Sequence, residues 1–234
     1  HVHGKTGLDG TDLSVKKKEL ERTDAVDFII ECTEKYRDEK ITICALGPLT
    51  NVAKVLKKDS VLTESIEEIV LMGGGFFEGG NITPAAEFNI YVDPEAAKIV
   101  LESGLKITML PLDVTHNTLV QRNFLEKLRK SGKNSAIQAA KLLDFFERYD
   151  VEKYGSQGGP LHDPNVIVYL LNPEIYYGKL VNVEVEVNSE LTRGMTVVDW
   201  WNVTDRPSNA YYINEVKENE FFETVLNNVL NLEI

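Results

Sequence analysis

The sequence is short of several things, and each shortage closes a class of function. No apolar run approaches the roughly 18 residues that a membrane span requires, and no charged leader followed by an apolar stretch opens the chain. This argues against a membrane partner. Cysteine is scarce. Cys32 and Cys44 cannot build a disulfide framework or a metal knuckle, and they read as buried reduced thiols of a cytoplasmic protein. Positive charge is outweighed, with 25 Lys and Arg against 37 Asp and Glu and a formal charge of −12. Such a surface repels phosphates, so a nucleic-acid partner is not expected, whereas a small neutral or cationic ligand or a metal ion is compatible. Phosphate loops are lacking too. The run Gly73-Gly-Gly-Phe-Phe-Glu-Gly-Gly80 contains no Gly-x-Gly-x-x-Gly and no following Lys-Ser/Thr, which leaves it as a flexible loop able to approach a ligand closely. There is no internal repeat, low-complexity tract or linker, so residues 1–234 read as a single domain. Hydrophobic residues at 43% suffice for a globular core.

What is present is an alternation of Val/Ile-rich strands with helical patterns. Strands are predicted at 41–46, 68–72 and 106–110, with helices beginning near Thr50 and at Asp93-Pro94-Glu95, the latter ending at Gly104. This order implies an α/β fold with a mostly parallel sheet flanked by helices. Residues 121–154 are helical with a break at Ser131-Gly132, and 182–187 and 194–198 alternate as a small antiparallel pair near the C-terminus would. Tyr211-Tyr212-Ile213 is a further strand candidate, and 221–232 a closing amphipathic helix.

In parallel α/β sheets ligands bind in the loops after the strands. Leu46 to Asn51, Met72 to Asn89 and the opening of the helix after Pro160-Leu-His-Asp-Pro164 all fall there. Asp163 before Pro164 has the pattern of a helix N-cap, which alone explains the pair without chemistry. Glu87 and Asn89 share a face if that segment is extended, with Phe88 on the other; they suit vicinal hydroxyls, or form a solvated loop with Phe88 in the core. His116, just past the third strand, either faces the cleft or caps the next turn. His1 and His3 lie on a glycine-rich segment with the character of a lid. Lys16-Lys-Lys-Glu19 is a solvated face.

Taken together, the motifs resemble the inosine–uridine nucleoside N-ribohydrolase family. They are His3-Gly4 with Gly7-Leu-Asp-Gly10, Gly47-Pro-Leu-Thr-Asn51, Leu71-Met-Gly-Gly74, Ala86-Glu-Phe-Asn-Ile90, Asp93-Pro-Glu-Ala-Ala97, Leu112-Asp-Val-Thr-His116 and His162-Asp-Pro164, in family order. The resemblance implies a Rossmann-like hydrolase fold and Ca²⁺-dependent hydrolysis of the N-glycosidic bond of uridine- or inosine-type ribonucleosides. It implies Asp163 as a carboxylate ligand of calcium and Leu46 as a main-chain carbonyl ligand. Met72, Glu87, Phe88, Asn89 and Asp163 would contact the ribose, His162 would be the general acid at the departing base, and His3 would sit on the closing loop. Tyr149, Lys153 or Tyr154 would reach the base. The resemblance also implies a nucleoside as partner and a homo-oligomer, dimer or tetramer.

Carboxylates around the sugar suit an oxocarbenium-like state, and a histidine titrating near neutrality suits the donor. The family's Asp-x-Asp-x-x-x-Asp-Asp tract does not occur in these residues. The expectation is therefore a longer reading frame upstream of His1 that carries it, with the sheet left an unpaired edge or an exposed apolar face. The competing expectation is a truncated, non-catalytic homologue acting as a binding or subunit-interaction module.

Overall fold

The structure, a computed structural model, describes residues 7–11, 13, 23–58, 60–154 and 158–232, with the side chains of 60–62 and 147–154 outside the description. In chain order the elements are α1 (Ala25–Lys35), β1 (Ile41–Ala45), α2 (Thr50–Lys58), β2 (Ile66–Met72), α3 (Phe88–Val92), α4 (Pro94–Leu101), β3 (Ile107–Leu110) and α5 (Leu112–Thr115). There follow α6 (Arg122–Lys130), α7 (Asn134–Tyr154), α8 (Pro164–Leu171), β4 (Tyr176–Val181), β5 (Val183–Val185), β6 (Thr196–Val198), β7 (Ala210–Val216) and α9 (Glu218–Asn231).

Five strands form one sheet in the order β1-β2-β3-β7-β4. The first four are mutually parallel, and β4 runs antiparallel on β7. The expected mostly parallel sheet is present, as is the small antiparallel pair, β5 with β6. Strand alternation divides the core. Ile69 and Leu71 of β2, Ile107 and Met109 of β3 and Tyr212 of β7 face α2, α4 and the β5–β6 pair. Val70, Met72, Leu110 and Ile213 face the layer of α5, α6, α8 and α9. Strands buried on both faces explain the near-continuous apolar runs read from the sequence.

Three local outcomes differ from the sequence reading. Tyr211–Ile213, expected only as a further strand candidate, lies in an inner strand, pairing Tyr212 with Met109 on one side and with Lys179 on the other. Its edge neighbour β4 carries no strong sequence signal because Gly178 and Lys179 interrupt it at a register shift. Residues 88–92 are helical, not extended, because the Glu87 carboxylate caps them. Cys32 and Cys44 are free as expected but only half-buried; burial first, then the charge of Glu68, raises the Cys44 thiol above its ordinary value.

At the far edge, Ile41, Ile43 and Cys44 of β1 are half-buried, and among the described residues β1 has no partner on its outer side. The Lys16–Glu19 run lies outside the described residues.

The placement of β7 inside the sheet and β4 at its edge has a measurable consequence. Ile213→Ala, at a fully buried position, should cost about 2–5 kcal/mol of unfolding free energy. Leu180→Ala on β4, at 66% exposure, should stay within about 0.5 kcal/mol. Urea unfolding of the two variants checks the contrast.

Candidate active site

The polar residues gather where β1, β2 and β3 end. Leu46 follows β1 directly with its side chain exposed, and Met72 closes β2 in the core. The glycine run after Met72 is packed rather than loose. A Cβ on Gly75 would meet the Gly79 carbonyl at 2.2 Å, and one on Gly80 would meet the Thr83 carbonyl at 2.3 Å. These glycines exist to let the chain approach itself, which corrects the reading of a flexible loop reaching for a ligand. Thr196 of β6 fastens the turn, accepting from Gly75 N at 3.0 Å and donating to Gly75 O at 2.8 Å.

Glu87 is buried and its carboxylate is occupied. It accepts from Asn89 N at 2.9 Å, Gly74 N at 3.1 Å and Ile90 N at 3.3 Å, so it caps α3 and ties it to the glycine turn. Burial raises its pKa above the ordinary carboxylate value. The three N–H donors oppose that shift, and the charge of Asp163 adds to it. Asp163 therefore lies within electrostatic reach of Glu87 across the strand ends. Asn89, also buried, donates from Nδ2 to Met72 O at 3.0 Å. Phe88 points outward at 48% exposure, so neither the extended pairing nor a core Phe88 is what the chain forms. Asn81, which the sequence reading passed over, accepts from Phe88 N at 2.9 Å and stands exposed beside this turn. Only its place in the glycine-rich stretch hinted at it.

His162 and Asp163 come to the same region from the opposite layer. Asp163 occupies the cap position of α8 but has helical φ and ψ, and its side chain makes no capping bond. The expected N-cap is thus not formed, and the exposed carboxylate is not used by its own helix.

What holds the segment is a clasp of buried polar groups. Asn165 donates from Nδ2 to Thr118 Oγ1 at 2.9 Å and to Leu161 O at 2.5 Å, and its Oδ1 accepts from Tyr176 Oη at 3.0 Å. Thr118 Oγ1 donates to Thr115 O at 2.9 Å, and backbone bonds join Leu161 N to Thr118 O and Val120 N to Gly159 O, each at 3.0 Å. Residues 115–120 and 159–165 are therefore one unit.

Within that unit Thr115 Oγ1 lies 2.7 Å from His162 Nδ1. The His116 ring is 5.7 Å from that of His162, and His116 Nδ1 is 3.1 Å from the Glu78 carboxylate. His116 takes the C-cap position of α5, with its ring beside that of His162. Burial, with a smaller effect of His116, drives His162 down to about 3, so its imidazole is neutral at pH 7 rather than titrating there.

Asp113 anchors the glycine turn from beneath. Buried, it accepts from Phe76 N at 3.0 Å, Glu78 N at 2.7 Å and the Tyr212 hydroxyl. Burial and that carboxylate push the Tyr212 hydroxyl well above its ordinary value.

His1 and His3 lie outside the described residues. Tyr149, Lys153 and Tyr154 belong to the last two turns of α7, with their side chains outside the description. Among the described residues no group of three or more His, Cys, Asp or Glu could hold a metal ion, and no helix is long and apolar enough to cross a membrane.

Residues 1–223 match the sequence family described as inosine-uridine preferring nucleoside hydrolase. The chain belongs to that family. Its relatives include an uncharacterised protein of Schizosaccharomyces pombe, 45% identical over 226 residues, spanning 97% of this chain and 73% of the relative. Another is the pyrimidine-specific ribonucleoside hydrolase RihA of Shewanella sp. (strain ANA-3), 43% identical over 230 residues, 98% of this chain and 72% of that one. Among solved structures, a plant nucleoside hydrolase, the PpNRh1 enzyme, superposes with a TM-score of 0.89 at 29% identity, covering 99% of this chain and 74% of that chain. A purine-preferring ribonucleoside hydrolase from Gardnerella vaginalis gives 0.86 at 30% identity, with 99% and 74% coverage. This nucleoside hydrolase is thus a glycosidase of ribonucleosides, in a family that is generally metal-dependent.

The clasp makes a stability prediction. Asn165→Ala removes the amide that donates to Thr118 and the Leu161 carbonyl and accepts from Tyr176, whose hydroxyl keeps only the Asn165 carbonyl, and should cost about 2–4 kcal/mol. Tyr176→Phe, which removes one donor, should cost about 1 kcal/mol. Chemical denaturation of both variants gives the comparison.

Proposed function

We propose that this nucleoside hydrolase prefers pyrimidine ribonucleosides, splitting uridine-type substrates to ribose and free base with calcium as its metal and His162 as the donor to the departing base. The observation that carries the reading is the convergence of Met72, Glu87, Asn89, His162 and Asp163 at the carboxyl ends of β2 and β3, with the Asp163 charge felt at Glu87. The pyrimidine preference rests on the 43% identity to a pyrimidine-specific relative, against 30% to the purine-preferring structure.

The residues present fit calcium in kind, since calcium takes hard oxygens, typically six to eight. Asp163, which makes no side-chain capping bond, would offer a carboxylate and Leu46 a main-chain carbonyl; these make part of a shell. Glu87 is a poor further ligand, because its oxygens already accept three backbone N–H bonds. When bound, calcium anchors vicinal hydroxyls and acidifies water.

The chain's own groups do the rest. Asn89, Met72 and the Glu87-capped turn shape the ribose pocket, with exposed Phe88 at its mouth. Negative charge at Asp163 favours the oxocarbenium-like state as positive charge builds on the sugar. His162, the general-acid candidate, acts here as a hydrogen-bond donor, its neutral imidazole N–H directed at the base and stabilising the charge that develops as the C–N bond breaks. Water adds to the sugar carbon, and one of its protons ends on the base. His3, outside the described residues, and Tyr154 are carried into this proposal from the family resemblance, as a closing-loop residue and a contact to the base. The protein works in the cytoplasm as a homo-oligomer, residues 1–234 acting as one domain on a small-molecule nucleoside.

Three measurements test this on the protein in its full natural length. Ribose release should be faster from uridine than from inosine. A chelator should abolish turnover, and added calcium should restore it. His162→Ala should slow uridine by roughly 10²-fold or more, the range of general-acid contributions, and nitrophenyl riboside far less. Equal losses on both substrates would remove the donor role.

A further inference from the structure

We propose that Thr115 is a positioning residue that sets the tautomer of His162, holding Nδ1 as an acceptor so that Nε2 carries the hydrogen presented to the cleft. The inference deepens the reading of His162 as donor and rests on it for its catalytic meaning; the tautomer itself is a separate fact.

The argument is one of hydrogen accounting. Thr115 is fully buried at the end of α5, and among the described residues the sole side-chain partner of its Oγ1 is His162 Nδ1, at 2.7 Å. A hydroxyl can donate or accept in that bond. If Thr115 accepted from Nδ1–H, its own hydrogen would be left in the core without an acceptor, which buried polar groups avoid. The neighbouring carbonyls do not offer a way out. The Thr115 carbonyl is taken by Thr118 N and Thr118 Oγ1, and the Pro111 carbonyl by Thr115 N and Val114 N. Donation to Nδ1 satisfies both groups at once. The second ring nitrogen then bears the hydrogen. Nε2 has no partner among the described residues, and it is not one of the buried polar atoms sealed without one.

The spacing is fixed from both sides. Asn165 and Thr118 clamp the Leu161 carbonyl immediately before His162, and Thr118 clamps the Thr115 carbonyl immediately after the hydroxyl's own Cα. The ring cannot turn over without breaking the Thr115 bond, so a fixed backbone frame converts one hydroxyl hydrogen into the choice of donor nitrogen. His116, whose Nδ1 is engaged by Glu78, stacks at a tilt of 52° on the same ring and takes no hydrogen bond from it. The tautomer is therefore assigned to Thr115 and not to the histidine pair.

The test is nitrogen-15 spectroscopy of the full natural protein labelled at histidine, with His162 assigned through His162→Gln. The wild type should show a pyrrole-like Nε2 and a pyridine-like Nδ1 at pH 7. Thr115→Val should lose that preference and show a mixture or the opposite tautomer, whereas Thr115→Ser should restore the wild-type pattern. In steady-state kinetics Thr115→Val should lower kcat on uridine roughly tenfold or more with KM nearly unchanged, as loss of a general acid's alignment would, and should leave nitrophenyl riboside nearly untouched.

A protonated Nδ1 in the wild type, or a Thr115→Val spectrum identical to it, would overturn the inference even in a fully active enzyme. The expected tautomer in a protein that releases no ribose would leave it standing and overturn the functional reading instead.

Discussion

The site depends on one buried clasp, in which the Asn165 amide and the Thr118 hydroxyl join residues 115–120 to 159–165. Neither side chain meets solvent, and Tyr176 closes the far side of Asn165. Each polar atom is useful only because the others are in place, since a buried donor without its acceptor costs more than the finished bond contributes. The whole carries no formal charge, so it suits a dry interior where an ion pair would have to overcome its own desolvation. Its effect is geometric: two loops from different layers of the sheet share one frame, and the histidine of one meets the threonine of the other.

Around that frame the carboxylates divide by commitment. Asp113 and Glu87 are buried and engaged by backbone N–H donors, with the Tyr212 hydroxyl as a third donor to Asp113, and they hold the glycine turn above and below. Asp163 is exposed and does not cap its helix. The distribution makes chemical sense. A carboxylate already surrounded by backbone donors has little left to give a cation or a diol. Position at a helix start and role in the cleft are thus separable, and Pro164 begins α8 without help from the preceding side chain.

Much of the fold was legible because it follows from periodicity. The three apolar runs ending at Ala45, Met72 and Leu110 could only be buried parallel strands once helices were seen between them, and the alternation of 182–187 with 194–198 gave the hairpin. Where reading failed, tertiary context overrode local preference. Phe88-Asn-Ile-Tyr-Val92 has the composition of a strand, and it is a helix because Glu87 and the turn behind it supply the cap. Tyr176–Val181 carries a glycine and a lysine, and only its neighbour β7 shows it to be an edge. Among site residues the chemically loud types were found. The quiet ones, Thr115, Thr118, Asn165 and Asn81, were not, since a buried threonine or asparagine has no signature until its partner, often dozens of residues away, is placed beside it.

The inner position of β7 bears on the order in which the molecule can form. Ala210–Val216 must enter between β3 and β4, pairing with residues some hundred positions earlier, so the sheet has high contact order at its centre. Tyr212, on that same strand, is the hydroxyl that meets Asp113 beneath the glycine turn. β1 to β3 precede in sequence the strand that completes them, and that strand carries the third donor to the Asp113 carboxylate. The floor of the cleft therefore depends on a pairing between segments about a hundred residues apart in sequence.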